Sequence, residues 1–260
     1  MTARIWEKLT VEEFSQALQE TRTVLLPLGV CEQHGFHLPL AVDIYNAEQM
    51  GRRGSEETGC LIAPTVKYAF SGGELPGTIN VSPQVLGLLL MEILRELFRN
   101  GMRNVILLPG HGGTDFISAL DSAATLFLRL NPQWADRNVA VFKFWDYSPE
   151  WQELAAAGDW HAANVETSLM LHWVPEEVRW DRMAVDEPEF LALMRSDCDA
   201  YEEREQHLDH PAIVARRFQS PRMKVGVMGW PERASAETGA RISEQCVAGL
   251  VELIRKMEAV

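Results

Sequence analysis

The sequence predicts an α/β fold, an open and mostly parallel sheet with helices on both faces. Three observations carry that expectation. The near-continuous apolar runs at residues 23–30 (TVLLPLGV) and 104–108 (NVILL) have the pattern of strands buried on both faces. Amphipathic, capped helical stretches alternate with them. Unusual polar residues gather directly after those strands, between Glu32 and Asp43 and at His111, where such sheets bind ligands.

The elements follow in order. Thr10 and Glu13 form a capping-box pattern ahead of Phe14, Ala17 and Leu18, so a short amphipathic helix begins there. Residues 23–30 make the first central strand, with Pro27 weakening its C-terminal half because proline cannot donate to a ladder. A helix is expected over 46–53 and a strand over 60–64. Ser82 and Pro83 place a cap and then a proline at the first helical position, opening a long helix that closes at Asn100 and Gly101. Residues 104–108 are the best strand, and a helix over 114–130 stops at Asn131 and Pro132. A strand at 138–144 and a final helix from about Ser235 towards Lys256 complete the pattern. Residues 175–210 are acidic with few apolar positions and are read as a surface excursion from one domain spanning 1–260.

Charge narrows the partners. Lys and Arg number 24 against 37 Asp and Glu, a formal charge of -13, which disfavours a phosphate-tracking basic face and hence nucleic acid. No apolar run reaches the roughly 18 residues of a membrane span, and the N-terminus lacks the apolar core of a signal peptide. The four cysteines are scattered without a C-x-x-C pair, as expected of reduced thiols in a cytoplasmic protein. A small-molecule substrate is the remaining natural partner.

Three segments bear chemistry. Residues 31–43 offer Glu32, His34, His37 and Asp43 on an irregular backbone containing Gly35 and Pro39. Imidazoles and carboxylates at this density are what Zn²⁺ or Mn²⁺ accept, and a carboxylate can bridge two ions. The alternative is a polar loop with satisfied histidines. In the second segment, PGHGG, His111 is flanked by glycines at a strand end. A phosphate-cradling loop is the rival reading, but neither a Walker ending nor a G-x-G-x-x-G is present. In the third, His161 and Glu166 are too far apart for one helical face unless His161 precedes a helix that starts near Asn164.

Together these segments resemble the creatininase (creatinine amidohydrolase) family. The resemblance lies in Gly29-x-x-Glu-Gln-His-Gly-x-His-Leu-Pro-Leu40 with Asp43, in Gly110-His-Gly-Gly113, and in His161-Ala-x-x-x-Glu-Thr-Ser168. Leu75-Pro-Gly-Thr-Ile79 and Gly226-Val-Met-Gly-Trp-Pro231 support it. It implies a three-layer α/β/α sandwich, a hydrolase with two divalent ions per chain (zinc or manganese, with iron possible), and a homohexamer. It also implies that Glu32 and His111 hold one metal, His34 and Glu166 the other, and Asp43 bridges both. His161 would handle substrate and protons. Divalent ions lower the pKa of bound water and would so provide a hydroxide nucleophile.

The likeness is incomplete in one place. Family members acting on creatinine carry an aromatic residue and a glutamate after the second-motif histidine, where this chain has Gly112 and Gly113. Amide-type C–N cleavage of a small polar metabolite is therefore expected, with creatinine itself disfavoured. C–C hydrolysis of an oxidised inositol (3-dehydro-scyllo-inosose hydrolase-like), a peptidase activity and a non-enzymatic binding subunit are the alternatives. Glu74, Asp115, Trp145 and Trp160 are candidate pocket residues.

Overall fold

The two strongest apolar runs lie next to each other in the central sheet of the computed structural model, which describes residues 1–259. In chain order the elements are β1 (Arg4–Ile5), α1 (Val11–Glu20), β2 (Thr23–Leu28), α2 (Val42–Thr58), β3 (Leu61–Ile62), α3 (Pro83–Arg99), β4 (Asn104–Pro109) and α4 (Thr114–Leu130). They continue with β5 (Asn138–Val141), α5 (Pro149–Ala156), α6 (Asn164–Trp173), α7 (Pro188–Ser196), β6 (Glu202–Glu205), β7 (Arg216–Gln219) and α8 (Ala236–Glu258). The central sheet has five strands in the order β1-β3-β2-β4-β5. All its pairings are parallel.

Alternation along β2 and β4 divides the core into two layers. Val24, Leu26 and Leu28, with Val105 and Leu107, face α1, α3 and α4 through Ala17, Leu90, Leu94, Phe116, Leu120 and Phe127. Leu25, Ile106 and Leu108 face the other way, against Met50 of α2, Val165 and Leu169 of α6, and Ile242, Cys246 and Leu250 of α8. The result is a three-layer α/β/α sandwich. Because α2 leaves β2 for one face and α4 leaves β4 for the other, a crevice opens between the carboxyl ends of these two strands.

Several elements differ from the sequence reading. Pro27 does not end β2, which continues to Leu28. The Pro27 carbonyl accepts from the Val66 N–H at 3.0 Å, so the missing donor of Pro27 points the same way, beyond the end of β3, and leaves the β4 ladder whole. The helix expected at 46–53 runs from Val42 to Thr58. Ala41 provides no side-chain cap to mark its start, and Gly59 ends it in the left-handed conformation. The strand expected at 60–64 has only Leu61 and Ile62, and β5 stops at Val141 before a 3₁₀ turn at Phe144–Tyr147. Within 175–210, α7 buries Phe190, Leu191 and Met194 against Met223 and Met228, and β6 pairs antiparallel with β7 in a separate two-stranded ribbon. Among the described residues no helix is long and apolar enough to cross a membrane.

Candidate metal centre

The chain after β2 turns over the end of the sheet and delivers Glu32 and His34, then enters α2, whose first turn carries Asp43. The chain after β4 delivers His111, and the first turn of α6 carries Glu166. Gly110 makes the approach possible, because a Cβ there would collide with the carbonyl oxygen of Asp43. All five side chains meet in the crevice, and none is more than 9% exposed.

The five form two groups that share Asp43. His34 Nε2 lies 3.4 Å from Asp43 Oδ1 and 3.6 Å from Glu166 Oε2. His111 Nδ1 lies 3.1 Å from Glu32 Oε2 and 3.3 Å from Asp43 Oδ2. Each oxygen of Asp43 therefore belongs to a different group. Glu32 Oε2, His34 Nε2 and both Asp43 oxygens are buried without a hydrogen-bond partner, a costly state for polar atoms. Their separations match the edge, about 3.4 Å, of a tetrahedron whose corners lie about 2.1 Å from a central zinc. The His34 Nδ1–H donates to the Glu32 carbonyl at 3.1 Å, which leaves Nε2 as the nitrogen facing the carboxylates. The donor set fits two divalent ions.

Electrostatics is mutual within the cluster. Burial opposes protonation of His111, yet Glu32 and Asp43 hold its imidazole up at about 10. Burial likewise opposes and Glu166 and Asp43 override at His34, which is raised well above the usual imidazole range. Burial would raise the Asp43 carboxyl, but His111 and His34 hold it well below the usual carboxylate range. Glu166 is lowered against its burial, chiefly by His34.

His161 stands beside this cluster, its ring centroid 4.3 Å from that of His34 and its Nδ1 4.0 Å from Glu166 Oε2. Its Nε2 is 2.9 Å from the backbone carbonyl of Gln33 and 3.0 Å from the Gln33 side-chain nitrogen. The amide orientation of Gln33 is set by the Gly35 N–H, which donates to Oε1 at 3.1 Å. Ala162 has φ +53°, the left-handed region, and its N–H donates to Glu166 Oε2 at 2.6 Å. Asp159 holds the start of α6, accepting from the N–H groups of Asn164, Val165 and Trp230.

His37 belongs to neither group. It is buried against Thr167 Oγ1 at 3.0 Å, and burial pushes its imidazole down to about 4. The centre opens into a cleft of about 620 Å³ that Asp115, Trp145 and Trp160 line. Glu74 is not among the lining residues and is exposed. Trp160 Nε1 is buried there without a partner. Sequence reasoning missed Gln33, although its place inside the Glu-Gln-His triplet was the available signal. It also missed the β6–β7 ribbon, which contributes Glu202, Arg204, Arg217 and Gln219 to the same cleft.

The model of the creatininase family, described as creatinine amidohydrolase, matches residues 7–254. The chain belongs to the creatininase family. It is 29% identical to the creatinine amidohydrolase of Pseudomonas putida, covering 96% of this chain and 95% of that protein. It is 31% identical to a mycofactocin precursor peptide peptidase of Mycobacterium ulcerans, over 90% and 85% of the two chains. A solved manganese creatininase superposes with a TM-score of 0.79 at 27% identity, covering 99% of this chain and 100% of the other. A creatininase variant of Zn–Zn type superposes with a TM-score of 0.78 at 28% identity over the whole of both chains. The protein is thus a creatininase-family hydrolase, and the manganese and zinc forms of its neighbours support a divalent metal.

The departure from creatininase after the second-motif histidine has a spatial counterpart. A Cβ at Gly113 would collide with His111 Nε2, so the His111 ring occupies the room a longer residue would need. A Cβ at Gly112 would meet nothing within 4 Å, so the cleft is open where an aromatic side chain would stand.

Proposed function

We propose that this creatininase-family protein is a binuclear hydrolase cleaving an amide-type C–N bond of a small polar metabolite. Glu32 and His111 would hold one divalent ion, His34 and Glu166 the other, and Asp43 would bridge them. The observation that carries this reading is the split of Asp43, whose two buried, unpartnered oxygens face different histidines. Bound there, divalent ions supply Lewis acidity towards a carbonyl and make water a nucleophile at neutral pH.

The chain's own residues supply the rest. Gln33 offers both an acceptor and a donor to His161 Nε2. With the Nε2–H donating to the Gln33 carbonyl, Nδ1, the nitrogen on the Glu166 side, is the bare nitrogen that can take up a proton lost by the nucleophile and hand it on from the imidazolium. That is the exchange needed to protonate a departing amine. The Trp160 side chain forms part of the cleft wall and so limits the space left to the substrate. Phe116, 5.7 Å edge-on to His111, and Trp145 help exclude water from the centre.

The test is a screen of zinc- or manganese-loaded protein against cyclic amides, formamides, short peptides and keto-inositols, with metal content measured alongside. We expect turnover of a C–N substrate at two ions per chain. His161→Ala should keep both ions and lose about 10²–10⁴-fold in kcat. Turnover confined to keto-inositols, or a His161→Ala variant within a few-fold of wild type, would refute the corresponding part.

A further inference from the structure

The β6–β7 ribbon puts two arginines at the mouth of the metal centre, and their placement bears on what the cleft receives. Arg204 stands directly opposite Arg217 in the antiparallel register, and Glu202 opposite Gln219. Side chains alternate across a ribbon, so these four share one face, and all four line the cleft. Glu203, Glu205, Arg216 and Phe218, the other face, do not. Like charges directly opposite each other on a ribbon are unfavourable. Here the juxtaposition is weakly compensated. Glu202 reaches Arg217 at 3.7 Å, while Arg204 has no carboxylate within 4 Å among the described residues.

The ribbon is docked rather than loose. The Glu74 N–H donates to Gln219 Oε1 at 2.7 Å, tying β7 to the Gly72–Gly73 loop of the cleft wall. Ser220 closes the ribbon by donating its N–H to the Tyr201 carbonyl at 2.7 Å and its hydroxyl to Glu203 at 2.6 Å. Two exposed arginines on a docked ribbon thus line a cleft whose 620 Å³ falls within the roughly 300–1,000 Å³ typical of pockets that enclose drug-sized ligands. The cleft-facing side of the ribbon carries two arginines against the single carboxylate of Glu202, in a cleft whose other walls bring Asp115, Asp159 and Asp199.

We propose that Arg204 and Arg217 form an anion subsite that binds a carboxylate or phosphate carried by the substrate while its amide lies at the metal centre. Planar guanidinium forks match both groups. The proposal deepens the hydrolase reading and rests on it only in placing the anion and the scissile amide on one molecule.

The test measures binding separately from turnover. Zinc-loaded protein is titrated calorimetrically with N-acetyl amino acids of increasing chain length, with N-acetylphosphoethanolamine, and with the uncharged N-methylamide of each acid. The best anionic probe should bind about ten- to a hundred-fold tighter than its neutral partner. The carboxylate and phosphate arms tell which anion is preferred. The double variant Arg204→Gln/Arg217→Gln should lose that margin, whereas Arg216→Gln, the same charge change on the opposite face, should keep it. Equal binding of charged and neutral probes overturns the proposal. So does tighter binding of N-acetylethylenediamine, titrated in parallel as an amine-bearing probe that Asp115 and Asp199 in the same cleft would favour. A margin that persists in the double variant also overturns it, because the anion then sits on the metals. Amine release in the same mixtures reports on the hydrolase reading: a margin without turnover refutes that reading and leaves the subsite standing.

Discussion

Asp43→Asn is the sharpest perturbation of the metal centre, because it keeps the shape of the side chain and removes one charge. Asp43 Oδ2 is 3.3 Å from His111 Nδ1 and Oδ1 is 3.4 Å from His34 Nε2, so the change strikes both groups at once. Glu166 meets only the His34 group, at 3.6 Å, so Glu166→Gln strikes one. Removing one partner from a buried charged cluster costs about 3–5 kcal/mol. If each ion loses that much, its dissociation constant rises by about 10²–10³-fold or more. Protein equilibrated with chelator-buffered zinc about ten-fold above the wild-type dissociation constants should then hold close to two ions as wild type. Glu166→Gln should hold one and Asp43→Asn almost none, by elemental analysis of the desalted protein. Circular dichroism of both variants checks that the sandwich is intact. Equal zinc content in folded Asp43→Asn and folded Glu166→Gln would refute the bridging role.

Two further outcomes follow from the same geometry. In the metal-free protein, His111 is held at about 10 and His34 is also raised, so both are protonated at neutral pH. A raised imidazole contributes stability that is fully present below its unfolded value of about 6.5 and is lost as pH rises through the folded value. The melting temperature of metal-free protein should therefore fall from about pH 6.5 towards pH 10. The zinc-loaded protein should lack that slope, because metal binding displaces those protons; parallel curves would contradict it. Separately, Ala162 at φ +53° carries left-handed strain of about 1–2 kcal/mol, partly offset in a glycine variant by unfolded-state entropy. Because the Ala162 methyl is fully buried among Leu38, Val42, Met170 and Val227, its loss costs about 0.8 kcal/mol more, so Ala162→Gly should leave stability from urea unfolding within about 0.5 kcal/mol of wild type. A loss of about 1.5 kcal/mol or more, the cost without strain relief, would show that the backbone there is not strained.

What was legible in the sequence was whatever a contiguous stretch encodes. Residues 23–28 and 104–109 announce themselves as central strands because both faces of each are buried, so nearly every position is apolar. Glu32, His34 and Asp43 stand close together because one chain segment crosses the sheet end, and the long first motif made them conspicuous. Pro27 misled because its effect depends on which neighbour its nitrogen faces, a property of sheet order. The start of α2 was hidden because no side chain caps it. The strain at Ala162 was equally hidden, since nothing in an alanine betrays a positive φ that a carboxylate four residues on stabilises.

The β6–β7 ribbon was invisible for a more general reason. Strand recognition from sequence relies on apolar residues alternating with polar ones, and Glu202–Glu205 reads EERE, charged at every position. The ribbon is held by the bond between Ser220 and Tyr201 at its open end and by Glu74 from the neighbouring loop, and its EERE strand supplies no apolar face. Its alternation becomes meaningful only when the register pairs Arg204 with Arg217 and turns both towards the cleft. The metal-binding motifs are compact in sequence, whereas this part of the cleft wall depends on pairing between segments that carry no strand signature. For a family whose relatives include both a creatinine amidohydrolase and a peptide peptidase, substrate choice is therefore best sought in such late-chain wall elements.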